Sequence, residues 1–144
     1  MRKQGERGQT TVFFVLVLTG LLLLTAVGVE IGRIVYARGE VGKAADAAAL
    51  AAASRIDVAL YQETGEIRFL PDVYATAQEY ASMNSAFLQR RNIGVAVTGI
   101  TVDAGRHEVY VTVSANLSSL IPGILAFQGE YGVTGYSEVM MNGR

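Results

Sequence analysis

Cysteine is missing from this 144-residue chain. Disulfides, thiolate metal ligands and cysteine nucleophiles are excluded with it, while the redox compartment stays open. A domain outside the cytoplasm would then depend on its own core or on partners. Tryptophan is also absent, proline occurs twice and His107 is the single histidine. His107 begins a strand beside a turn, where a solvated or hydrogen-bonded imidazole is the ordinary state. No histidine pair at metal-ligand spacing can exist. Charge is sparse and balanced: 12 Lys and Arg against 13 Asp and Glu give a formal net charge of −1. There is no basic block and no acidic tail, so nucleic acid is not an expected partner. The phosphate-cradling pattern G-x-x-x-x-G-K-S/T and the nucleophile elbow G-x-S-x-G do not occur, so any ATP use would belong to a partner. These absences point away from an enzyme and from any cofactor.

What the chain has is a long apolar run. From Gly8 through Val29 no residue carries a charge. Thr10 to Val29 supplies the roughly 20 residues that a bilayer core of about 30 Å requires at about 1.5 Å per residue. Thr10, Thr11, Thr19 and Thr25 can return their hydroxyls to backbone carbonyls one turn back, which makes them tolerable in lipid. A cleaved secretory signal would have a shorter apolar core and a non-helical start after it. A buried soluble helix would rarely be apolar on all sides for so long. A single membrane anchor fits best. The flanking cations tie, with Arg2, Lys3 and Arg7 on one side and Arg33, Arg38 and Lys43 on the other. The eight-residue leader can hold nothing folded, so the expected topology is single-pass in the plasma (inner) membrane, with a cytoplasmic N-terminus and an extracytoplasmic domain.

After Val29 charges return, but helix formers continue into an alanine run. Ile31, Ile34, Val35, Val41, Ala45, Ala48, Ala49 and Ala52 recur at spacings of three and four. Glu30, Arg33, Glu40, Lys43 and Asp46 fall largely opposite, and Arg38 lies near the apolar stripe with its stem available for burial. The pattern predicts one helix over about 9–60, membrane-embedded over about 10–29 and soluble over about 30–60. Gly28 and Gly32 form G-x-x-x-G, and Gly39 and Gly42 follow. Each interior glycine costs about 1 kcal/mol relative to alanine. Gly28, Gly32, Ala45, Ala48, Ala49 and Ala52 are therefore the candidate helix-packing residues, because small residues let backbones approach closely.

The order of these pieces resembles a family. Arg7-Gly8-Gln9 precedes the apolar run. Then come Glu30-Ile31-Gly32-Arg33-Ile34-Val35-Tyr36-Ala37-Arg38 and Ala44-Ala45-Asp46-Ala47-Ala48-Ala49-Leu50-Ala51-Ala52-Ala53. Over about the first third of the chain this is similar to the N-terminus of the TadE/TadG-like proteins of the tight-adherence (Flp) type IV pilus system. The resemblance implies a membrane-anchored minor pilin (pseudopilin) or an assembly component. It would act by helix packing in a homo- or hetero-oligomer with other pilins or platform proteins, at the membrane or in a surface pilus. It also implies a candidate prepilin-peptidase cleavage between Gly8 and Gln9. Phe13 stands at mature position five, where many pilins carry Glu. A carboxylate there could pair with a neighbouring subunit's free amine, and Phe13 cannot. A tip or initiating subunit, or a non-processed scaffold recruiting envelope partners, would not need that pairing.

The rest, 61–144, reads as a small domain of roughly 80–90 residues, near the low end of domain sizes. Gly65 marks a turn, and 66–70 is a short strand candidate. Pro71-Asp72 starts a helix to about Arg90 with Val73, Ala77, Tyr80, Ala81, Phe87 and Leu88 on its apolar face, Asp72 serving as N-cap. Val95 to Val102 alternates with a slip near Gly99, suggesting a bulge. A turn at 103–106 leads into strand 107–117 with Val109, Val111, Val113, Ala115 and Leu117 inward. An apolar connection over 118–127 precedes a last strand, 131–141. The fold class is α+β: a long N-terminal transmembrane helix continuing into a small domain, with one helix packed on a three- or four-stranded, mainly antiparallel sheet.

Overall fold

The computed structural model describes residues 5–119 and 130–140. Helix α1, Gly5–Ala53, holds 49 residues and at 1.5 Å per residue extends about 73 Å. Within it the hydroxyls of Thr19 and Thr25 donate to the carbonyls of Val15 and Leu21 at 2.8 and 2.9 Å, so these polar groups are satisfied without water.

The helix stops at Ala53 rather than near residue 60. The Ser54 hydroxyl donates to the Ala51 carbonyl at 2.7 Å, drawing the last turn closed. After a short turn the chain restarts as α2, Val58–Thr64. Asp57 caps it by accepting from the Leu60 N–H at 3.1 Å. Gly65, at φ 72°, ends it by donating to the Tyr61 carbonyl, a left-handed position that glycine occupies without steric cost. Of the strand expected at 66–70, only a single bridge forms, Ile56 opposite Phe69.

Helix α3, Val73–Met83, returns along α1 and is followed by the single turn α4, Ala86–Gln89. The one helix expected to about Arg90 is thus broken at Asn84-Ser85. There the Asn84 side chain donates to the Tyr80 carbonyl and Ser85 to that of Ser82, which competes with continued helix. Asp72 makes no side-chain cap bond, since its carboxylate is engaged by Arg55. Tyr80 is exposed and not part of the apolar face, whereas Val73, Ala77, Ala81 and Leu88 are buried.

The sheet has the order β1-β2-β3, with β1 Val95–Asp103, β2 Glu108–Ser118 and β3 Glu130–Met140 paired antiparallel throughout. The register of β1 shifts between Val97 and Gly99, where the alternation slipped. The β1–β2 turn is held by Asp103, whose Oδ1 accepts from the N–H groups of Gly105 and Arg106 at 2.9 and 3.1 Å. Val109, Val111, Val113, Ala115 and Leu117 point inward and are buried. They meet a helical layer made by the second half of α1 together with α3. The apolar connection over 120–127 lies outside the described residues.

Strand β1 is an edge, and edges left open invite pairing with other chains. Side chains of α3 cover it. Gln78 donates Nε2 to the Val95 carbonyl at 3.0 Å and accepts the Val97 N–H at 2.8 Å. The Tyr74 hydroxyl accepts the Ile100 N–H at 3.4 Å.

Candidate functional site

Because α1 is continuous, its functional residues fall into an angular order at about 100° per residue, and the domain covers only one side of it. Over the apolar half the side chains from Val12 to Leu24 are exposed all round, Phe13 at 68% among them. The best apolar stretch of this helix has mean hydropathy 2.7, with no part of it covered by the rest of the chain. By length and composition it can cross a membrane. Gly8 and Gln9 are exposed and lie in helical backbone.

The candidate packing residues separate into two groups. Ala45, Ala48, Ala49 and Ala52 are all fully buried inside the chain's own core, where α3 and the sheet press against them. Alanine here does for the domain what small residues do for helix pairs, letting backbones approach closely. Gly28 and Gly32 point the other way. A Cβ added at either would meet nothing within 4 Å. Gly39 shares that open side, together with Val35, Asp46 and Leu50.

Between residues 30 and 40 the apolar stripe is not where the spacing placed it. Ile31 and Val35 are exposed at 53% and 65%, while Glu30 and Glu40 are buried. The inward line is Glu30, Ala37, Glu40, Val41 and Ala44. Pairing one turn ahead lets the two carboxylates tolerate this position. Arg33 Nη1 lies 2.9 Å from Glu30 Oε2, and Lys43 Nζ lies 2.6 Å from Glu40 Oε1. The Glu40 hydrogen bond, with its charge, raises the Lys43 ammonium above its ordinary pKa. At the far end of the domain, the Tyr110 hydrogen bond raises Arg106 in the same way.

Where α1 leaves its apolar half, a trough of about 440 Å³ opens between it and α4. Val29, Gly32, Arg33, Tyr36, Phe87 and Arg91 line it. The rings of Tyr36 and Phe87 meet edge to face at 4.6 Å, and the Arg91 guanidinium sits 4.4 Å above the Phe87 ring. Sequence reasoning missed this grouping. Phe87 and Arg91 stand more than fifty residues from Tyr36 and Arg33, and only the return of α3 along α1 joins them. Among the described residues no group of three or more His, Asp or Glu is placed to hold a metal ion.

Comparison with curated proteins and with solved structures returned no match in either case. Comparison with family models returned one over the segment just described. Residues 8–55, which are 48 of the 144, match the family described as "Putative Flp pilus-assembly TadE/G-like", so the similarity covers a third of the chain, α1 from Gly8 with the turn that ends it.

Proposed function

We propose that the chain is a membrane-anchored minor pilin (pseudopilin) or assembly component of a Tad/Flp pilus, working through helix packing and not through chemistry. The observation that carries this reading is the asymmetry of α1 within the matched segment. Its first half offers apolar side chains to every side, and its second half is covered by the domain on one side only. The side left open carries Gly28 and Gly39, with Gly32 at its border with the trough beside α4, where another helix could approach closely. The first half holds the protein in the plasma membrane with its N-terminus cytoplasmic and its domain outside. The open face meets other pilins or platform proteins. Cleavage between Gly8 and Gln9 by a prepilin peptidase would free Gln9 as the mature terminus.

A second reading is a non-processed single-pass scaffold that recruits envelope partners. Phe13 favours it, because a side chain without charge cannot form the pairing that stacks subunits in a repeating filament. N-terminal sequencing of the protein from cells with an active prepilin peptidase separates the two. A start at Gln9 supports the pilin-like role, and an intact Met1 supports the scaffold.

A further inference from the structure

We infer that the trough between α1 and α4 binds the phosphate of an anionic phospholipid headgroup in the leaflet through which α1 emerges. This rests on α1 spanning the bilayer and goes beyond any assembly role. Depth is the first argument. If the hydrocarbon core ends at Val29, Arg33 lies about 6 Å and Tyr36 about 10 Å further along the helix axis. The headgroup layer on each side is about 5–8 Å deep. The lining of the trough therefore begins in hydrocarbon at Val29, crosses the headgroup layer at Arg33 and ends a few ångströms, about 2–5 Å, outside it at Tyr36.

The chemistry changes along the trough in the same order. Val29 gives an apolar floor, and Gly32 adds no side chain to obstruct it. Arg33 is compensated by Glu30, so that pair is neutral overall while the guanidinium keeps further donors. Arg91 is different. It is exposed, it stands over the Phe87 ring, and among the described side chains, those of residues 8–119, no carboxylate pairs with it. Among those side chains its charge is the uncompensated one lining the trough, and guanidinium matches phosphate with two parallel donors. Tyr36 and Phe87 supply the aromatic surface that membrane interfaces favour. A protein partner's carboxylate could meet Arg91 as well, but it would not call for the apolar floor or the match in depth.

The test uses the full chain in nanodiscs containing equal amounts of phosphatidylglycerol and phosphatidylcholine, followed by native mass spectrometry of the lipids that stay bound. The wild type should retain phosphatidylglycerol in preference to phosphatidylcholine. One interfacial cation corresponds to a preference of about fivefold. Arg91→Gln should abolish the preference, Arg91→Lys should keep part of it, and excess inorganic phosphate should leave it in place. Arg90→Gln removes the same charge from an exposed neighbour that does not line the trough, and it should keep the preference. No preference in the wild type, or its survival in Arg91→Gln, overturns the site. Equal losses in Arg90→Gln and Arg91→Gln reduce it to general surface attraction. Displacement by inorganic phosphate makes it a free-anion site and overturns the lipid assignment. Failure of the chain to enter nanodiscs at all is a separate result, which removes the anchor and this inference with it.

Discussion

The two halves of α1 are one helix with two kinds of surface. In the half before Val29, large side chains such as Leu16, Leu22 and Leu24 are exposed in every direction, which is favourable only where the surroundings are apolar. In the half after it, buried positions are mostly alanine, and carboxylates enter the inward line only with a cation one turn ahead. Bulk suits a helix that faces lipid, whereas small size suits one that must let a sheet and a second helix come close. The G-x-x-x-G pair sits at the join, on the side the domain leaves bare.

The comparison breaks most visibly under one substitution made twice. Ala48→Asp places an unpaired carboxylate in the core and should cost on the order of 3–5 kcal/mol. Loss of the cooperative unfolding transition in circular dichroism would show it. Leu22→Asp should leave that transition intact and weaken membrane insertion by about 3–4 kcal/mol near the bilayer centre, seen as protein lost from the membrane fraction. Next comes the edge of the sheet. Gln78→Leu strips the partners from the Val95 carbonyl and the Val97 N–H, costing about 1–3 kcal/mol. The urea midpoint should fall and hydrogen exchange at Val97 should rise.

How far these features can be read without a structure varies along the chain. The alternation of β2, from Val109 to Leu117, announces its inward face because the period of two is local. Gly99 marked the register shift for the same reason. The faces of α1 between 30 and 40 were not legible. Ile31 and Val35 satisfy a helical spacing, and nothing local says that Glu30 and Glu40 would be the ones turned inward. Their burial depends on Arg33 and Lys43 and on the elements that cover them. Asp72 suited an N-cap by type, but Arg55, seventeen residues away, claims its carboxylate. Gln78 and the Arg91–Phe87 pair act across the fold, where spacing carries no signal. The matched segment itself was legible because its order of motifs is contiguous.

Smaller effects sharpen the contrast between the open and the covered side. Gly28→Leu should leave domain stability within about 0.5 kcal/mol, as for a surface change, while lowering the yield of assembled pili or of crosslinked oligomers. Normal assembly would remove Gly28 from the packing face. The smallest effect belongs to the exposed Lys43 beside Glu40. Its raised pKa means that its stabilising contribution is complete below about 10.5 and fades as pH rises through the higher folded value. Lys43→Gln should therefore alter the thermal midpoint slightly at neutral pH and not at all in strong alkali.

The chain has no cysteine, which makes one measurement especially direct. Single cysteines replace Leu16, Leu22, Val35, Ala48 and Leu50 in the full-length protein, and native membranes are treated with a soluble, membrane-impermeant maleimide. Leu16→Cys and Leu22→Cys should stay unlabelled until detergent removes the bilayer, and Ala48→Cys until the domain is unfolded. Val35→Cys and Leu50→Cys should react at once unless a partner covers them, and in that case they should react after the complex is dissociated by mild detergent. Ready labelling of Leu22→Cys in intact membranes, or of Ala48→Cys in the folded domain, would contradict the account of one helix shared between lipid and a protein core.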